Sequence, residues 1–350
     1  MSDSFPQPRI IHQTIGRALL ITREGRCYIS RKYDIYCSDD WGITWKLDCR
    51  IPASGWKSWA AMSQPLSRLL RHNIQAFQVL DDGSRIAIAH DGLYRADAGE
   101  AVMKRTFTNA RGSRPLTLCT HGARLIFGEY GDGFGSAEIF LYVSEDYGKT
   151  WDVGYRFPSL SIRHVHNILI DPLENHYWVL VGDYDREPGI GALSKDLRNI
   201  DWLIRGCPEA RVVGAIVKPD CLLYGTDLDH GPNHIIRLDK RSGNISKLLK
   251  VEGSSLYASS FGSLYAISTC VEPNPTHPTR ECALYLSRDG IDWSRKYPHR
   301  KDWLHPTLFQ FGCLVLPFVA CDRPRGMFSG QAVVKSHDLV TLLDFSQENP

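Results

Sequence analysis

Two copies of one eight-residue pattern, S-x-D-x-G-x-T-W, leave few folds open to this chain: Ser38-Asp39-Asp40-Trp41-Gly42-Ile43-Thr44-Trp45 and Ser144-Glu145-Asp146-Tyr147-Gly148-Lys149-Thr150-Trp151. Each follows a short apolar, strand-like run, and its chemistry is that of a hairpin corner. The Asp carboxylate accepts bonds from the backbone N–H groups of the turn, Gly148 takes the positive φ a side chain would forbid, and Trp151 folds back as a hydrophobic plug. Decayed copies begin at Ser194, leading to Trp202, at Ser287, leading to Trp293, and at Ser336. The intervals are multiples of about 50 residues, the signature of a repeat built from one supersecondary unit. Two slots lack the pattern but hold turns, Asp91-Gly92 and Lys240-Arg241-Ser242-Gly243. Seven units then fill residues 1–350 as one closed array, predicting an all-β, seven-bladed β-propeller with four-stranded antiparallel blades and Asp-box turns.

On Ser38 to Trp45 and Ser144 to Trp151 the chain resembles the Asp-box (BNR-repeat) β-propellers of the sialidase-like superfamily. The resemblance implies a fold. Asp boxes occur in sialidases, other glycan-active enzymes, sorting receptors and assembly factors alike, so function has to come from the site. Sialidases carry an Arg in an F/Y-R-I-P segment ahead of the first blade, whereas this chain has Phe5-Pro6-Gln7-Pro8-Arg9-Ile10, in a different order. The arginine triad does not transfer.

Composition removes several classes. The net charge of +2 gives no electrostatic footprint for nucleic acid or an anionic membrane surface. The first residues lack the basic and apolar regions of a secretory signal, and no apolar run reaches membrane-span length, so a cytoplasmic protein is expected. Ten cysteines show no zinc-type spacing. Cys27 with Cys37, and Cys270 with Cys282, fall on adjacent predicted strands, where buried free thiols are common. No metal and no cofactor is predicted.

Each unit reads as four strands, A to D. In the fourth unit His164 to Ile170 is strand A, Tyr177 to Val181 strand B and Gly191 to Leu193 strand C. Ile10 to Thr14 is either an outer strand closing the last unit or a lead-in to Ala18. An antiparallel meander sends A–B and C–D turns to one face and B–C and D–A loops to the other. The B–C loops are the long ones: 130–136, 184–189, 227–233, 271–281 and 317–330. Long loops gathered on one side of a rigid scaffold are where binding sites are built.

Polar residues cluster at the strand ends of that face. Glu129, Tyr130, Asp183, Tyr184 and Asp227 follow B strands; Arg71, His72, Arg163, His164, His166 and Arg211 precede or begin A strands. His164 and His166 project to one side of a strand, as an acid/base pair, half of a metal site, or two histidines satisfied by neighbouring carboxylates. Glu129, Asp183 and Tyr130 are of the types glycosidases use as acid, base and nucleophile, or else cap turns. Arg71, Arg163 and Arg211, with His72, Tyr184 and Asp227 beside them, fit a clamp on a substrate carboxylate, or form surface ion pairs. The resulting expectation is a carbohydrate-active propeller that binds and cleaves an acidic oligo- or polysaccharide, uronic or sialic, as hydrolase or lyase. Catalytic roles fall to His164, His166, Glu129, Tyr130 and Asp183. The rival is a non-catalytic scaffold or assembly factor with a protein partner.

Overall fold

The computed structural model describes residues 8–52, 68–69, 73–89, 91–109, 115–131, 137–184 and 186–346. Short apolar runs between polar turns pair with their sequence neighbours, as the period requires. Four sheets have four antiparallel strands in chain order: the second (Ala76–Val79, Arg85–Ala89, Gly92–Ala96, Lys104–Thr108), the third (Cys119–His121, Arg124–Gly128, Ile139–Ser144, Asp152–Phe157), the fourth (Val165–Ile170, His176–Val181, Gly189–Ser194, Ile200–Arg205) and the fifth (Ala215–Val217, Cys221–Gly225, Asn233–Asp239, Ile245–Val251). The first sheet (Arg17–Ile21, Cys27–Arg31, Asp34–Ser38, Lys46–Arg50) gains a fifth strand, Phe318–Val319, parallel to Arg17–Ile21. In these sheets the B strands are buried and the D strands are mostly half-buried or exposed, so the core lies between neighbouring sheets.

The expected count is corrected here. Five blades stand as separate sheets, not seven, and the remaining strands of the described residues form one eight-stranded sheet. In it the meander Ser255–Phe261, Leu264–Val271, Glu281–Ser287, Ser294–Arg300 is bonded through Cys270↔Cys313 and Val271↔Gly312 to a meander of Gly312–Val315, Arg325–Gln331, Leu339–Asp344 and Arg9–Ile15. The link uses only the last two residues of Leu264–Val271, past its pairing with Glu281–Ser287, and both cysteines are buried. Arg9–Ile15 pairs antiparallel with Leu339–Asp344, so the N-terminal strand is an outer strand closing the chain ends together. Two further expectations fall with this closure. Ser336 lies between the second and third strands of its meander and makes no Ser–Asp corner, and 317–330 is divided into Phe318–Val319 and the buried strand Arg325–Gln331.

The Asp boxes form as the residue chemistry dictates. Ser144 donates its hydroxyl to Asp146 Oδ1 at 2.7 Å and accepts the Gly148 N–H at 2.8 Å, while Asp146 accepts Thr150 N–H at 2.9 Å and Thr150 Oγ1 at 2.7 Å. Ser38 to Thr44 repeats these bonds, and Ser194 and Ser287 keep the Ser–Asp contact. The turn places two successive residues in the left-handed region, Tyr147 at φ 59° and Gly148 at 78°, and a Cβ on Gly148 would stand 2.6 Å from Ile86 of the neighbouring sheet. Trp151 packs edge-on to Phe127, ring centroids 5.0 Å apart, between the second and third sheets. Ser144→Ala strands the buried Gly148 N–H, so a loss of about 1–3 kcal/mol is expected in urea unfolding. The more open copy gives a control: Ser194→Ala should cost less, and equal effects would show the bond at Ser144 to be of no special weight.

Candidate active site

B strands of four consecutive units end side by side on the loop-rich face, and each is followed by an acid: Gly128 by Glu129, Gly182 by Asp183, Thr226 by Asp227, Val271 by Glu272. Gly225 makes the close approach between units: a Cβ there would stand 2.4 Å from Ser255 Cβ, at the start of the next inner strand. Strand ends from neighbouring sheets thus converge on a central cavity of about 810 Å³.

Asp183 is the hub. Its Oδ2 lies 3.0 Å from His164 Nε2 and its Oδ1 2.9 Å from His166 Nε2, with Arg211 Nε 3.7 Å away. Burial alone would raise its pKa, but the bonds and charge of the two histidines outweigh burial and hold the carboxyl far below the usual value. His166 Nδ1 donates to the Val212 carbonyl at 2.9 Å, so both of its ring nitrogens face oxygen acceptors. His164 is stacked flat beneath Tyr130, centroids 4.0 Å apart and planes 3° apart. Burial, with the charge of Asp183 and Asp227, pushes the Tyr130 hydroxyl upward, which keeps it a neutral plate and not an ionised nucleophile.

Asp227 and Glu272 form the second centre. Asp227 is buried, and its Oδ1 has no hydrogen-bond donor. Burial and the Glu272 charge raise the Asp227 carboxyl well above its usual range, and Glu272, half-buried with its open side on the cavity, is raised by burial in turn. Two carboxyls in contact cannot both ionise at low cost, so the pair favours holding a proton over losing both. Arg211 is distributed among acids: Nε is 3.6 Å from Asp227 and Nη1 2.9 Å from Asp229. Arg163 Nε meets Glu187 at 3.1 Å, and the guanidinium carbons of Arg163 and Arg211 stand 4.7 and 5.2 Å over the Tyr184 ring.

Of the residues expected from sequence, Tyr130, Arg163, His164, Asp183, Tyr184, Arg211 and Asp227 line this one cavity. His166 is behind it, bonded to Asp183 and shielded from the lumen. Glu129 turns away: its carboxylate accepts the Phe140 N–H at 2.9 Å and the Tyr142 hydroxyl at 3.2 Å, tying the B–C loop to strand Ile139–Ser144. Both bonds are of the turn-capping kind. Arg71 and His72 lie outside the described residues. Glu272 and Glu187 were missed; the signal for Glu272 was its place after a B strand, one unit beyond Asp227. Elsewhere, Asp171, Glu174 and His176 bring ligand atoms together on the opposite face, but Asp171 is already engaged by the Lys240 ammonium.

A BNR-Asp box repeat model matches residues 141–153, over the second box. No curated protein sequence matches the chain. Among solved structures, a chain of a mitotic checkpoint complex is similar with TM-score 0.61 at 9% identity, covering 97% of this chain and 96% of that one. The extracellular domain of a putative one-component system from B. thetaiotaomicron is similar with TM-score 0.57 at 11% identity, and a GH74 enzyme of Niastella koreensis with 0.52 at 11%. They cover 100% and 82% of this chain, which spans 40% and 46% of theirs. At such identities the likeness is one of fold: a β-propeller carrying a BNR-Asp box repeat.

Proposed function

We propose that this chain is a carbohydrate-active propeller that binds a glycan at the polar end of its cavity and cleaves a glycosidic bond there. The observation that carries the reading is the Asp227–Glu272 pair lining the cavity, whose carboxyls are raised above their ordinary values by burial and, for Asp227, by the Glu272 charge. Glycoside hydrolysis needs a carboxylic acid for the leaving oxygen and a carboxylate at the same centre. In the proposed step the proton of the pair passes to the glycosidic oxygen as the C–O bond breaks. Water then adds its oxygen to the anomeric carbon, and its released proton returns to the pair. Asp183, ionised and held by His164 and His166, stabilises the positive charge that develops on the sugar.

The expectation of an acidic sugar rested on arginines free to clamp a carboxylate. Arg163 and Arg211 are engaged by Glu187 and by Asp183, Asp227 and Asp229, which supports a neutral sugar. A second reading, a propeller holding a protein partner, draws on Trp303, 90% exposed near Leu308 in the connection that leads to the cavity-lining Gln310. A panel of 4-methylumbelliferyl glycosides with neutral, amino and uronic sugars separates the two. Fluorophore release is expected from a neutral member, declining as pH rises through the raised value of the pair. Silence across the panel, with no sugar binding by calorimetry, would move the protein-partner reading ahead.

A further inference from the structure

The cavity is not uniform along its length. Its charged lining side chains, Arg163, His164, Asp183, Arg211, Asp227 and Glu272, all sit at the loop-rich end. From there the inner strands run toward the opposite face, and their lining residues become uncharged and in the main apolar: Ile168 and Ile170 beyond His164, Ala215 and Val217 beyond Arg211, Leu256 and Ala258 beside them, with Gln78, Thr120, Ser259 and Ser260 interspersed. From His164 to Ile170 is about 20 Å at the rise of a strand. The far end is furnished by Phe318 and Val319, which pair parallel with Leu20 and Ile21, so an added strand supplies apolar wall where the five-stranded sheet meets the lumen. Phe318 lines the cavity and is 51% exposed there.

A single sugar at the carboxyl end would leave most of this length to water held against apolar side chains. We infer that the substrate is an amphiphilic glycoside: a sugar at the Asp227–Glu272 end joined to an alkyl or aryl aglycone that extends along the apolar channel. This rests on the glycosidase reading for the sugar end only. The aglycone is held by burial of apolar surface, which is non-directional, so chain length and apolarity decide affinity and not a particular functional group. Its leaving oxygen is the one the carboxyl pair protonates, which places the bond to be broken at the boundary between the two halves.

The test uses the full chain and N-phenyl-1-naphthylamine, a neutral apolar fluorophore. Saturable binding of one probe per chain is expected. Octyl glucoside, kept below its micelle concentration, should displace it at a concentration at least about tenfold lower than methyl glucoside, because each added methylene is buried. Val217→Glu and Ala258→Phe, which charge and fill the channel, should each weaken probe binding at least about tenfold in protein that still unfolds cooperatively. If the probe does not bind saturably, if methyl and octyl glucosides displace it equally, or if both folded variants bind it as the unaltered chain does, the inference is wrong. The two proposals fail separately. Alkyl-dependent displacement without cleavage of any glycoside leaves the channel standing and removes the hydrolase, whereas cleavage indifferent to the aglycone does the reverse.

Discussion

Replacing Asp227 by Asn, or Glu272 by Gln, is expected to lower glycoside turnover by about 10²–10⁴-fold, the range for loss of a positioned proton donor. Stability should not fall with it. A buried carboxyl pair resists ionisation, and an amide at one position removes the repulsion while keeping a donor for the other. The sign of the pH dependence distinguishes this from simple damage. Because the folded values are raised above the ordinary 3.8 and 4.5, the folded state binds more protons than the unfolded state over the window above those values. Stability of the unaltered chain therefore declines as pH rises from the ordinary carboxylate value through the raised one. Either variant should flatten that decline, and thermal unfolding across pH reads it directly. Turnover retained within threefold, or a slope unchanged by both substitutions, would remove the pair from the mechanism.

Asp171→Ala is expected to destabilise the fold by about 3–5 kcal/mol, the cost of stranding a buried partner charge. Asp171 accepts from Trp178 Nε1 at 2.8 Å and from the Leu173 and Glu174 N–H groups at 3.0 and 3.1 Å, and it meets the Lys240 ammonium of the fifth sheet. Burial opposes ionisation of Asp171, but the Lys240 and Trp178 bonds outweigh it and lower the carboxyl below its ordinary 3.8. With a depressed folded value, the stabilisation is complete above the ordinary value and is lost as pH falls through the depressed one. Urea unfolding should therefore show the Asp171→Ala deficit at neutral pH and a shrinking deficit in acid. The double variant with Lys240→Met should recover part of the loss, since it removes the stranded ammonium. Cleavage per folded molecule should be unchanged, because this contact is on the face opposite the carboxyl end. A double variant less stable than Asp171→Ala alone would show that Lys240 contributes by packing and not by charge.

The sequence carried the propeller because its determinants are local. Ser144, Asp146, Gly148 and Thr150 close a corner within a few residues, and that chemistry is the same wherever the pattern falls, so the corners at Ser38, Ser144, Ser194 and Ser287 and the partition of loops between faces were legible from spacing. Ser336 misled for a global reason. The sheet that unites the chain ends takes its outer strand from Arg9–Ile15, so it has no hairpin between third and outer strands for a box to occupy.

The site divides in the same way. Residues at the ends of B and A strands were assigned to one face by topology alone, and Asp183, Asp227, His164 and Arg211 do meet there. Which way each side chain turns was decided by tertiary packing: Glu129 finds nearer donors in Phe140 and Tyr142, His166 is drawn behind Asp183 by the Val212 carbonyl, and Arg211 is taken by three carboxylates before any ligand arrives. Glu272 was visible as a residue but not as a partner, since its contact with Asp227 joins two units. By itself the sequence determined the repeat, the corners and the face that carries the site, because hydrogen-bonded turns and strand alternation act between near neighbours. Only the tertiary structure decided which acids are brought into contact and which cations already stand beside carboxylates, because those energies depend on distance and burial between groups the chain keeps far apart.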